Sequence, residues 1–171
     1  MRASFAHRFA DLPLADGREF PYDPPIDLDT TLKPIAEALL EPDEPLIGYC
    51  VGTRTAMFSG GAVAVIVSER RLIVQPLDRK MQSSGDAISM TPDQIADVSA
   101  GGGGGGWWTA SAAIMDNVSV ELKLRTTDGE KLKLLLMRGE GRVIGKLGGG
   151  ETQRQGVQAL ARWFGQHAPQ R

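Results

Sequence analysis

Histidine and cysteine are almost missing from this sequence. The 171 residues hold two histidines, His7 and His167 at opposite ends, and one cysteine, Cys50. A single cysteine excludes an internal disulfide, which fits a reducing compartment, and a cytoplasmic location is the expectation. Metal sites need clustered His, Cys or carboxylate ligands, so no zinc or other metal is expected. The same poverty removes histidine-based catalytic triads, and neither a catalytic residue nor a cofactor is expected. Cys50 lies in the apolar run Leu46-Ile47-Gly48-Tyr49-Cys50-Val51 with no histidine near it in sequence. It reads as a small buried hydrophobe and not as an activated thiol. Long apolar runs are absent too. Nothing approaches the ~20 residues of a membrane span, and Met1 to Phe9 lacks the continuous apolar core of a secretory signal. A soluble protein is expected.

Glycine, by contrast, is plentiful. Gly101 to Gly106 is an unbroken run of six, which maximises backbone freedom and reads as a connection between strands. Trp107 and Trp108 follow at once. If they begin a strand, alternation sends one inward and one outward. An exposed Trp there would suit a membrane interface or a partner's pocket, whereas packing over a barrel rim is the plainer reading. The segment from Gly139 to Leu147 invites comparison with a phosphate-binding loop. It fails because Glu140 stands at the first glycine position and Leu147 replaces the Ser or Thr that would hold magnesium.

Charge is distributed unevenly. Residues 1–44 carry ten acidic and four basic side chains, and residues 45–171 carry eleven and fifteen. An acidic leader therefore precedes a mildly basic domain. It could lie over the basic face as a counter-charge, or simply aid solubility.

The chain divides into an acidic, proline-rich arm over 1–27 and one domain over 28–171. Pro13, Pro21, Pro24 and Pro25 predict an extended arm. Residues 28–41 read as a short helix, capped by Asp29, Thr30 or Thr31, with Pro34 in its first turn and Leu32, Ile35, Leu39 and Leu40 on one face. Strand signals follow: Leu46 to Met57, Ala62 to Ser68, and Leu72 to Leu77 after a tight Glu69-Arg70 turn. That turn sets Val67 opposite Leu72 and Val65 opposite Val74. Thr91-Pro92-Asp93-Gln94 carries a capping box for one helical turn, and Ile95 to Ala100 resumes as a strand.

The clearest hairpin runs from Asn117 to Met137. Val118, Val120, Leu122 and Leu124 alternate with polar residues, as do Leu132, Leu134 and Leu136 on the return. A three-residue loop, Thr127-Asp128-Gly129, pairs Leu124 with Leu132, Leu122 with Leu134 and Val120 with Leu136. It keeps one face dry and puts Gly129 in the left-handed position of a bulged turn. A final helix over 152–167, capped by Thr152, carries the stripe Val157, Leu160, Trp163 and Phe164 and would plug the open end of a barrel. The fold class is thus mainly β with a capping α-helix: a bent antiparallel barrel or sandwich of about seven strands.

The strand, charged turn and strand from Val65 to Val74 resemble the "T-x-x-R-L-I" hairpin of bacterial pleckstrin-homology-like and GRAM-like domains. Ile88 to Val98 is similar to their "I-P-x-x-x-I-x-x-V" element, with Met90 and Thr91 departing from the usual proline. The pattern covers about residues 36–167. The resemblance implies a seven-stranded barrel-like sandwich with a capping helix that binds lipids, peptides or proteins without catalysis. The eukaryotic phosphoinositide motif has no match; only Arg54, in Gly52-Thr53-Arg54-Thr55, stands near that loop.

The hairpin register makes one further demand. Arg125 faces Lys131 and Lys123 faces Lys133, and directly opposed like charges destabilise a sheet. Glu121, Glu130, the acidic leader or an external anion must offset them. Lys123, Arg125, Lys131, Lys133, Arg54, Trp107 and Trp108 are therefore the candidate contact residues. A protein partner or self-association is the leading expectation, with Leu135 and Met137 as an outward apolar patch that the N-terminal helix could cover. An anionic membrane surface is the second, and a small-molecule carrier or enzyme using the barrel interior the third. The pI near 5.7 argues against nucleic acid.

Overall fold

A computed structural model describes residues 27–55, 60–101, 120–136 and 150–167. The elements are α1 (Leu28–Leu39), β1 (Leu46–Thr55), β2 (Gly60–Ser68), β3 (Leu72–Pro76), β4 (Ile88–Met90), a 3-10 turn at Pro92–Gln94, β5 (Ile95–Gly101), β6 (Val120–Thr126), β7 (Lys131–Leu136) and α2 (Gly150–His167). The seven strands form one antiparallel sheet in the order β4-β3-β2-β1-β7-β6-β5. It curls into a half-barrel, as the alternation predicts. Residues 1–26 of the arm, Gly102 to Gly106, the Trp107-Trp108 pair, Val118, Met137 and the 139–147 segment lie outside the described residues.

The two hairpins take the registers that their side chains demand. Val67 pairs with Leu72 and Val65 with Val74. Leu124 pairs with Leu132, Leu122 with Leu134 and Val120 with Leu136. Gly129 sits at φ +93 in the turn and donates to the Thr126 carbonyl at 3.1 Å. Any side chain there would be strained. The 3-10 turn is held by Gln94, whose side-chain oxygen accepts from the Thr91 amide at 2.9 Å.

Two cores form, where the alternation alone suggests one. The inner core lies within the curl and gathers Cys50, Val65, Leu72, Leu122, Leu134, Leu160, Trp163 and Phe164, among others. The second lies on the opposite face of β1, β2 and β3, where α1 covers Val51, Ala64, Ile66 and Ile73 with Leu28, Leu32 and Ala36. That is why the run Val63 to Val67 is buried without a break: both faces of β2 are dry. Burial also pushes the Cys50 thiol up to about 12, which keeps it protonated and inert.

Three helix details differ from expectation. The cap of α1 is Asp27, which accepts from the Asp29 amide at 3.0 Å and the Thr30 hydroxyl at 2.6 Å. Pro34 lies inside the helix and not in its first turn. The carbonyl it leaves without a donor belongs to Thr30, which is exposed to water. The helix α2 begins at Gly150, so Thr152 is within its first turn, and the Thr152 hydroxyl bonds Asp29 at 3.2 Å.

The docking of α2 on β1 is unusually close. A Cβ on Gly156 would stand 1.8 Å from the Tyr49 carbonyl oxygen, and one on Gly48 would stand 2.8 Å from the Ala159 Cβ. Buried Gln153 accepts from the Val51 amide at 2.8 Å and donates to its carbonyl at 2.7 Å. One side chain thus replaces a neighbouring strand at that point. Gly156→Ala is expected to destabilise the fold by about 3 kcal/mol, the upper range for overpacking. Urea unfolding checks this against Gly150→Ala, whose added methyl meets nothing within 4 Å and should cost little.

Candidate functional site

The face opposite the inner core on β5, β6 and β7 carries no helix among the described residues. Its rows can be read from the register. Thr53, Leu135, Glu121 and Gly101 form one row; Lys133, Lys123 and Ser99 the next; Lys131, Arg125 and Asp97 the last. Leu122, Leu124, Leu132 and Leu134, on the alternate rows, point to the core and are buried. The alternation that dries the core therefore sets four cations side by side outside. Opposed Cα atoms in such a ladder lie roughly 5 Å apart.

The ladder between β1 and β7 is short, covering only Gly52 to Arg54 against Leu134 to Leu136. Where it stops, a cleft of about 700 Å³ opens, lined by Arg54, Thr55, Asp97, Ser99, Lys123, Leu124, Arg125, Lys131, Leu132 and Lys133. Arg54 shares its row with Leu134 and joins the cleft at this gap. Five of the seven sequence-predicted contact residues thus line one cleft. The other two, Trp107 and Trp108, lie outside the described residues.

Glu121 provides the expected offset to the opposed lysines. Its two oxygens hold Lys123 Nζ at 2.9 Å and Lys133 Nζ at 3.0 Å, and these lysines hold its carboxyl below the usual range. Asp97 stands 4.0 Å from Arg125. Five cations thus face two carboxylates. Among the described residues, Arg54 and Lys131 make no ion pair.

The leader does not cover this face with any described acidic group. Six of its ten carboxylates fall between Asp27 and Glu44, and the last three of these are engaged elsewhere. Arg70, in the β2–β3 turn, pairs with Glu41 at 3.3 Å and Asp43 at 2.8 Å. Arg71 grips Glu44 with Nε at 2.9 Å and a terminal nitrogen at 2.7 Å, while the Ser68 hydroxyl donates to the same carboxylate. Ser68 Oγ also accepts from the Arg70 and Arg71 amides. The remaining arm, residues 1–26, has four acidic and three basic side chains, too balanced to neutralise the cleft. Sequence reasoning missed the Glu44–Arg71 clamp. The signal available was the "T-x-x-R-L-I"-like stretch itself, where Ser68 and Arg71 are the two clamp residues.

Other chemistry has less to stand on. Among the described residues no group of three or more His, Cys, Asp or Glu is placed to hold a metal. No helix among them is long and apolar enough to cross a membrane.

No family model matches this chain and no curated protein does. Solved structures similar to it include the C-terminal domain of an unknown protein from Leishmania infantum, with a TM-score of 0.45, 12% identity and coverage of 83% of this chain and 95% of that one. The hSac2 domain of human phosphoinositide phosphatase Sac2 matches with a TM-score of 0.45 and 13% identity, over 79% of this chain and 76% of that one. The linker-DH/PH fragment of p115-RhoGEF has a TM-score of 0.39 and 10% identity, over 86% and 39%. The curled seven-stranded sheet closed by a terminal helix is the outline expected from the sequence, and no family is identified.

The clamp predicts a pH dependence. The hydrogen-bonded Arg71 guanidinium is the main cause holding the Glu44 carboxyl at about 2, below its unfolded value. A lowered folded-state value stabilises above the unfolded pKa and is lost as pH falls through the folded one. Glu44→Gln should therefore be less stable than the parent by about 2 kcal/mol at neutral pH, with the gap closing between about pH 5 and pH 2. Denaturant unfolding across that range checks it.

Proposed function

We propose that this chain is a non-catalytic binding module whose basic cleft takes a group bearing two or more phosphates. The carrying observation is the convergence of Arg54, Lys123, Arg125, Lys131 and Lys133 on one cleft of about 700 Å³. That volume falls in the range of small-ligand sites, and the Thr55 and Ser99 hydroxyls line it beside the cations. Arg and Lys together suit phosphate, one as a planar fork and the other as a mobile point charge. The non-catalytic reading is supported by the cleft lining, which among the described residues includes neither a histidine nor a thiol.

The ligand chemistry has two sources, a soluble polyphosphate or a phosphorylated lipid headgroup. Self-association through an apolar face has less support. Leu135 is half-buried, and Ile47 is the only large apolar side chain exposed among the described residues. The helix α1 covers β1 to β3, not Leu135.

The test is calorimetric titration with tripolyphosphate, alongside sedimentation with vesicles containing phosphatidylinositol bisphosphate. Binding should weaken as salt rises, since the cations are exposed and screened within about 10 Å at 0.1 M. The double variant Arg54→Ala, Lys131→Ala should bind about tenfold more weakly. Binding of tripolyphosphate alone assigns a soluble ligand, and binding of both assigns a headgroup. No binding of either at low salt overturns the reading.

A further inference from the structure

An anion stands beside the cleft and pairs with two of its cations. Glu121 is not among the residues that line it, yet both lysines that Glu121 holds are. Each carboxylate oxygen takes one Nζ, so a single side chain occupies two of the five cations. It does so from the adjacent row of the same strand and beside the partner strand, with its position fixed by the ladder pairing of Glu121 with Leu135. About half of each lysine's side chain is exposed, 59% for Lys123 and 46% for Lys133. These are solvated ammonium groups held by one internal carboxylate, not buried pairs.

We infer that Glu121 is the affinity-setting residue of this cleft: a built-in anion that an incoming ligand must replace on Lys123 and Lys133. The inference rests on the basic-cleft reading above. The physical argument is one of exchange. Arg54 and Lys131 make no ion pair among the described residues, so a ligand meets them without breaking anything. Lys123 and Lys133 are different, because their charge is already balanced by a neighbour held at high effective concentration. A ligand gains these two contacts only by displacing the carboxylate. It also meets a negative charge in the adjacent row, which repels it whether or not the lysines turn toward it.

A second acidic residue supplies a charge-matched control. Glu130 lies in the turn beside Lys131, is exposed, and makes no ion pair among the described residues. Removing its charge alters the local field by the same unit without releasing Lys123 or Lys133. Glu121→Gln and Glu130→Gln thus separate displacement from simple electrostatics.

The experiment is titration of the full chain with tripolyphosphate at low salt for the parent, Glu121→Gln and Glu130→Gln, each below its own melting temperature. The parent binds, Glu121→Gln binds about tenfold more tightly, and Glu130→Gln stays within about twofold of the parent. If the parent does not bind, the reading of the cleft falls and takes this inference with it. If the parent binds but Glu121→Gln is unchanged or weaker, Glu121 merely positions the lysines, and the inference alone is overturned. An equal gain in Glu130→Gln likewise overturns it, because bulk charge then explains the effect.

Discussion

The structure depends on how closely α2 can approach β1. Two backbones meet where Gly156 passes the Tyr49 carbonyl, and no residue with a side chain fits between them. The approach places Gln153 within reach of both polar groups of Val51. Left without partners in this dry position, these groups would cost about 1–3 kcal/mol each. With them satisfied, the first half of β1 needs no strand on that side. The helix takes that place and brings Trp163 and Phe164 into the inner core, where their rings meet edge-to-face at 5.2 Å.

A consequence appears in the pairing of β1. The helix occupies its first half, so the ladder with β7 begins only at Gly52. It ends at Arg54, and the cleft opens beside Arg54 and Thr55. The helix α1 covers the opposite face of β1, β2 and β3, which leaves the hairpin of β6 and β7 uncovered by any described helix. The row of cations lies outside the surfaces that both helices cover.

The hairpin was legible because its two faces differ completely: Leu122 and Leu124 against Lys123 and Arg125 admit one register. The same alternation located four of the five cleft cations before any coordinates. The second core was harder to see. Its signal was the unbroken run Val63 to Val67, which lacks a period of two because both faces are buried. The charge asymmetry misled in another way. Counting the leader as one acidic block hid the fact that six of its ten carboxylates lie in the cap of α1, in α1 and in the turn after it. The close approach at Gly156 had no local signal, since a glycine within a helical pattern reads as a mere weakness.

The two charge clusters of this sheet differ physically, and the difference separates structure from site. Around Arg71 the carboxylate of Glu44 has no exposed surface, and every strong donor near it is turned inward: the guanidinium, the Ser68 hydroxyl and the Glu41 amide. Such a pair is costly to break and has no room for an incomer. It ties the chain between α1 and β1 to the β2–β3 turn. Around Lys123 and Lys133 the pairing is solvated and unequal in charge, so exchange with an external anion carries little penalty. A buried, saturated cluster fixes the fold; an exposed, unsaturated one is available to a ligand. This is why the hairpin cations, and not the equally conspicuous Arg70-Arg71 pair, mark the binding face.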